Sequence, residues 1–152
     1  MSDDNILVHE QHMRVKRCRH GPMLYNSTDT HVGRSLDLYG EYSEFETALF
    51  VLILQPGMVA IDVGANIGLH SLIMARCGMR VRSYEPDPAH AEKFRDNMKL
   101  NVIADAVDLQ VAAVSAESGQ TEFVRVLGNT TGSHLKGAKK NPYGELETFP
   151  VE

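Results

Sequence analysis

Apolar and polar positions along the chain alternate as strand, turn and helix, most sharply near the middle. Val59 to Val63 is an almost wholly apolar, partly β-branched run, the pattern of a strand buried on both faces. Gly64 and Gly68 follow and open a segment with apolar residues at helical spacing, Leu69 to Cys77, which Gly78 is placed to cap. Arg80 to Glu85 reads as the next strand. Asp87-Pro88 then supplies an N-cap with proline at the first helical position, and Ala91, Phe94 and Met98 recur at helical spacing until about Asn101. Val107, Leu109, Val111 and Ala113 alternate as a third strand. Strands separated by helices predict an α/β fold with a Rossmann-like parallel sheet.

The flanks have a different texture. Met1 to Gln11 shows no clear period. Met13 to Cys18 reads as a strand turned by Gly21-Pro22 into Met23-Leu24-Tyr25, with Asn26 to Asp29 as the next turn, so a hairpin extension is expected over 1–34 and the Rossmann-like domain over 35–152. Gly33 to Tyr42 is aromatic and polar and leads into a helix that Ser43-Glu44-Phe45-Glu46 opens as a capping box and Pro56-Gly57 stops after about Leu54. Beyond Gly119, Thr121 to Leu127 reads as a strand, Gly128 to Gly132 as a loop, Gly137 to Asn141 as a mobile loop, and Leu146 to Val151 as a returning strand. Together they predict an antiparallel C-terminal appendage.

Composition narrows the class only modestly. At 152 residues, 43% hydrophobic and 23% charged, the chain reads as one ordinary globular domain. A net charge of −5 argues against a broad nucleic-acid footprint, and the local cluster Arg14, Lys16, Arg17 and Arg19 reads as a solvated strand face. Cys18 and Cys77 cannot make a disulfide framework, and both read as reduced thiols of a cytoplasmic protein. The longest apolar run, Ala48 to Leu54, is too short to span a bilayer, and Met1 to Asn5 is no signal peptide. His9-Glu10-Gln11-His12 lacks the four-residue histidine spacing of a zinc helix, so no metal site is expected.

The chemistry gathers at the central turn. Glycine lets backbone approach a ligand, and the first amides of the following helix are unpaired donors. A dinucleotide turn needs a glycine where Asn66 stands, and Asp62 would repel a pyrophosphate. S-adenosylmethionine, with an ammonium group, a sulfonium, one carboxylate and no phosphate, fits better. Glu85 falls about twenty residues after the turn, where such folds aim a carboxylate at ribose hydroxyls. The third strand's end delivers Ser115 to the same edge, toward the adenine. The expected cofactor residues are therefore Asp62, Gly64, Ala65, Asn66, Gly68, Glu85 and Ser115.

Asp62-Val63-Gly64-Ala65-Asn66-Ile67-Gly68, Tyr84-Glu85-Pro86-Asp87-Pro88, the asparagine-ended helix at Asn101 and Ala112-Ala113-Val114-Ser115 resemble the FkbM-type methyltransferases, class I enzymes that use S-adenosylmethionine. The resemblance covers roughly Ser35 to Val151. It implies that Asp62 to Gly68 hold the methionine end of the cofactor, Glu85 the ribose and Ser115 the adenine. It also implies methylation of a hydroxyl on a small molecule such as a sugar or a natural product. The family's fourth strand, with its aspartate and glutamate-glycine motif, has no counterpart before Glu152, so the first half of that fold is expected here.

Candidate acceptor-side groups are Tyr39, Glu41, Tyr42 and His70, on the segment before the first strand and at the start of the cofactor helix. The first strand of such a sheet is central, which predicts that the Val59 to Val63 edge is covered by a second copy or by another chain. Two further readings stand beside the enzyme: a cofactor-binding or interaction module without turnover, and a nicotinamide-dependent oxidoreductase, which Asn66 and Asp62 disfavour.

Overall fold

A computed structural model describes residues 7–9, for which only the backbone is considered, 12–139 and 145–152. Glu10 and Gln11 of the His9 to His12 stretch, the loop residues Lys140 and Asn141, and Met1 to Ile6 lie outside them.

The chain opens with β1 (Leu7–His9), β2 (Met13–Cys18) and β3 (Gly21–Asn26), an antiparallel sheet in that order. The expected hairpin is thus three-stranded. Its turn lies at Arg19-His20, and Gly21 and Pro22 pair with Cys18 and Arg17 inside the ladder. Next comes α1 (Val32–Tyr39), a helix where no helical element was expected. Asp29, two residues before its N-cap, accepts the Gly33 N–H at 2.6 Å and anchors its first turn. Gly33 fits because a Cβ there would lie 1.9 Å from the Asn26 carbonyl oxygen.

Helix α2 (Glu44–Ile53) forms where expected, but the capping box does not. Ser43 sits in the left-handed region at φ 56°, and its hydroxyl donates to the Glu46 carboxylate at 2.5 Å instead of taking a helix amide. The first-turn acids Glu44 and Glu46 still suit the positive end of the helix.

Strands β4 (Val59–Val63) and β5 (Arg80–Tyr84), with β6 (Val107–Gln110), form the parallel sheet in the order β4-β5-β6; α3 (Leu69–Arg76) and α4 (Pro88–Leu100) make the crossovers. Asp87 caps α4 as expected, accepting the Ala89 N–H at 2.8 Å. β4 is the sheet's edge in this chain, with β5 central. The expectation that β4 is buried on both faces fails: Ala60 is buried against α3, whereas Val59, Ile61 and Val63 are 64%, 66% and 59% exposed. The described elements clothe one side of the sheet only. On the bare side the register sets Val59 beside Arg80 and Ile61 beside Arg82, with Arg82 next to Asp108.

The last sheet, in the order β8-β7-β9, comprises β7 (Thr121–Val126), β8 (His134–Leu135) and β9 (Leu146–Val151), all antiparallel. The main core joins the first sheet and α1 to the glycine turn and the crossover helices: Met23, Tyr25, Val32 and Leu36 pack with Ile67, Leu72, Phe94 and Met98. The basic cluster is largely answered by acids of the chain itself, with Arg14 on Asp37, Arg19 on Glu41 and Glu44, and Lys16 on the Asp37 carbonyl. No described helix is long and apolar enough to cross a membrane.

Candidate active site at two strand ends

The turn after β4 is held in a shape that few residues allow. Gly64, Asn66 and Gly68 all have positive φ, at 78°, 51° and 88°. The glycines do different work. A Cβ on Gly64 would meet nothing within 4 Å, so the glycine leaves open space. A Cβ on Gly68 would lie 2.7 Å from both Phe94 and Met98, so this glycine lets α3 and α4 pack closely.

Glu85, at the end of β5, is buried, yet both carboxylate oxygens are used: Oε2 accepts the Asn66 N–H and Oε1 the Asp87 N–H, each at 2.8 Å. A carboxylate offers about four acceptor sites, so two remain for hydroxyl donors. The other turn amides are internally engaged, Gly64 and Ala65 to the Tyr84 carbonyl, Ile67 to the Asn66 side chain and Gly68 to the Ala65 carbonyl. The amides from Gly64 to Gly68 are therefore already taken, and the helix amides expected as donors begin beyond them at Leu69.

Gly64, Ala65, Asn66 and Glu85 line one cavity of about 310 Å³, together with two expected acceptor-side residues, Tyr42 and His70. His70 stands edge-on to Phe50 at 5.4 Å, and its Nε2 is buried without a hydrogen-bond partner among the described residues, 4.0 Å from the Glu46 carboxylate.

Five expected residues lie off this cavity, the first being Gly68, which faces Phe94 and Met98. Asp62 faces α3, where its carboxylate accepts the Ser71 hydroxyl at 2.6 Å and Ser71 in turn accepts from Ser83 at 2.8 Å. Glu41 is tied to Arg19 at 2.7 Å, and Tyr39 is largely exposed. Ser115 lies five residues past the end of β6, which stops at Gln110, short of the alternation that ran to Ala113. It lines a separate, larger cavity on the bare side of the sheet with Val63 and Tyr84.

The sequence reading missed the cavity's outer wall. Thr130, Thr131 and Ser133, from a stretch read only as a loop, line it. Thr130 donates its N–H to Asp29 at 3.1 Å, and its hydroxyl accepts from the Asn66 side chain at 3.0 Å. His90 of α4 closes the wall beside Glu85, 3.7 Å from its carboxylate. Three hydroxyls within four residues were the only local signal.

Compared with known proteins, the chain matches no family model. It is 40% identical over 68 residues to the 31-O-demethyl-FK506 methyltransferase FkbM of Streptomyces tacrolimicus, a match covering 43% of this chain and 25% of that protein. Among solved structures it is similar to Pyrococcus horikoshii TYW2 in complex with MeSAdo (TM-score 0.56, 18% identity, 75% of this chain and 41% of that one). It is also similar to a SAM-dependent methyltransferase from Agrobacterium tumefaciens (TM-score 0.53, 10% identity, 70% and 34%) and to Trm5b from Pyrococcus abyssi (TM-score 0.53, 17% identity, 68% and 29%). The chain thus spans a quarter of the curated relative and well under half of these structures. At these identities the likeness is one of fold: the parallel sheet and its two crossover helices follow the α/β architecture found in methyltransferases.

Proposed function

We propose that the chain is the cofactor-binding part of an S-adenosylmethionine-dependent methyltransferase acting on a hydroxyl of a small molecule such as a sugar or a natural product. One observation carries this reading: Glu85, with two acceptor sites to spare, and Gly64, with open space where a side chain would stand, line the same cavity. A diol that must donate two hydrogen bonds and a chain that must lie against backbone both find their counterpart there. The FkbM relative, named as a 31-O-demethyl-FK506 methyltransferase, supports the same reading.

When bound, S-adenosylmethionine supplies a methyl carbon activated by its sulfonium. Glu85 would hold the ribose hydroxyls and Gly64 to Asn66 the methionine end, with Gly68 keeping the turn closed against α4; Asp62 acts from behind through Ser71. Ser115, which lines the separate cavity, takes no part in this assignment. Tyr42 and His70, which both line the cavity, would orient the acceptor hydroxyl. Internal pairing of Arg14, Lys16 and Arg19 supports a small-molecule acceptor over nucleic acid. Free Cys18 and Cys77 suit the cytoplasm. The exposed Val59, Ile61 and Val63 row supports a cover over β4, supplied by a second copy or a partner chain.

Calorimetric titration with S-adenosylmethionine tests the reading. Micromolar binding, weakened more than tenfold by E85A, is the expected result. A folded chain that binds neither S-adenosylmethionine nor S-adenosylhomocysteine would overturn it.

A further inference from the structure

Arg125, on β7, reaches out of its own sheet. Its Nε and Nη2 form a fork on the two oxygens of Asp87, both at 2.5 Å, while Nη1 holds Glu147 of β9 at 2.6 Å and the guanidinium lies 4.8 Å from the Phe149 ring centre. Asp87 is fully buried. Burial alone would push its carboxyl up, but the hydrogen bonds and charge of Arg125, the nearby His90 and the Ala89 N–H together outweigh it, leaving the group below the ordinary carboxylate range. The same residue fixes the turn that follows β5. Its side chain accepts the Ala89 N–H, and its own N–H points at Glu85 Oε1, whose partner oxygen holds the Asn66 N–H. Arg125, Asp87, Glu85 and Asn66 are thus linked hand to hand from the C-terminal sheet to the turn after β4.

We infer that Arg125 is a positioning residue for Glu85: by clamping Asp87 it sets the carboxylate that faces the cavity, making the β8-β7-β9 sheet part of the binding site. A planar fork suits this, because two parallel hydrogen bonds fix orientation as well as charge. For ligand affinity the inference rests on the cofactor reading above; for the geometry of the turn it does not.

The test uses R125K and R125M/D87N. The second pair avoids leaving a buried carboxylate without a partner, which by itself can unfold a chain. Amide hydrogen exchange is measured at Asn66 and Asp87, with the Cys77 amide, held by the Ile73 carbonyl at the far end of α3, as the reference for general loosening. Exchange at Asn66 is expected to rise at least tenfold relative to Cys77 in the double variant, and by a smaller factor in R125K, which keeps the charge without the fork. If the wild type binds S-adenosylhomocysteine, its affinity is expected to fall at least tenfold in the double variant. Unchanged Asn66 exchange in a folded variant overturns the inference, as does unchanged affinity in a variant whose wild type binds. Should the double variant not fold, Asn66 exchange in R125K decides. A wild type that fails to bind while the variants show faster Asn66 exchange sinks the cofactor reading and upholds the positioning role.

Discussion

The side chain of Asn97 makes with Leu24 the two backbone hydrogen bonds that a neighbouring strand would make. Its Oδ1 accepts the Leu24 N–H at 2.6 Å and its Nδ2 donates to the Leu24 carbonyl at 3.1 Å, while Nδ2 also reaches the Ile67 carbonyl at 2.8 Å. A fully buried amide thereby pins β3 and the glycine turn to α4 at once. Removing it orphans several groups, each worth about 1 kcal/mol or more when left unmade. N97A is expected to lose about 2–3 kcal/mol, read by urea unfolding, and a loss under about 0.5 kcal/mol would contradict the pinning role.

The two turn glycines separate stability from binding. In G68A a methyl group would press on Phe94 and Met98 and sit at φ 88°, and overpacking with backbone strain is expected to cost about 2–4 kcal/mol. G64A meets no neighbour, so only the strain of about 1–2 kcal/mol remains, while its methyl enters the space left for a ligand. Affinity for S-adenosylhomocysteine should fall at least tenfold in G64A at that small stability loss. Equal unfolding penalties in the two variants would refute the division.

Val102 offers a gain. It follows the C-cap Asn101 in the left-handed region at φ 55°, with its side chain 91% exposed and its N–H bonded to the Lys99 carbonyl at 3.0 Å. A β-branched residue is poorly suited to the position that glycine usually fills after a helix. V102G is expected to stabilise the chain by about 0.5–1 kcal/mol, raising the melting temperature by about 2–3 °C. A lower melting temperature would show that the strain is absent.

Acid should unfold the chain through identified groups. Asp37, like Asp87, would be pushed up by burial, but hydrogen bonds from Arg14 and Tyr25 outweigh that and hold it below the ordinary range. With folded values below the unfolded value of about 3.9, the stability they confer is present above that pH and is lost as pH falls through the folded values. Unfolding free energy should therefore decline steeply below about pH 4. In R14M, which removes the main partner of Asp37, the decline should be shallower. Parallel wild-type and R14M curves in urea titrations between pH 6 and 3 would count against this assignment.

What the sequence disclosed was local. Four apolar residues around Asp62, two glycines and a helical period are enough for β4, its turn and α3, and Asp87-Pro88 marks the start of α4 in its own chemistry. Helix α1 was hidden because its cap, Asp29, stands outside the usual position and Gly33 weakens the helical pattern, while a long-range need, clearance from Asn26, put that glycine there. Ser43 carried the right residues for a box in the wrong backbone conformation. Thr130 meets Asn66 across 64 residues, a distance over which no period or spacing speaks. Ser115 was placed by an alternation that outran its strand: Val111 and Ala113 continue the rhythm of β6 without a partner in the ladder.

The bare side of the parallel sheet discriminates by composition. Its rows run from aliphatic on β4 to guanidinium at Arg80 and Arg82 on β5, then to Asp108 and Gln110 on β6. A uniformly oily cover would strip water from two cations and return nothing for it. A polar one would leave the aliphatic row wet. A cover that matched would be graded, apolar over Val59 and Ile61 and acidic a strand's width away, and that gradient would fix which way round it lay.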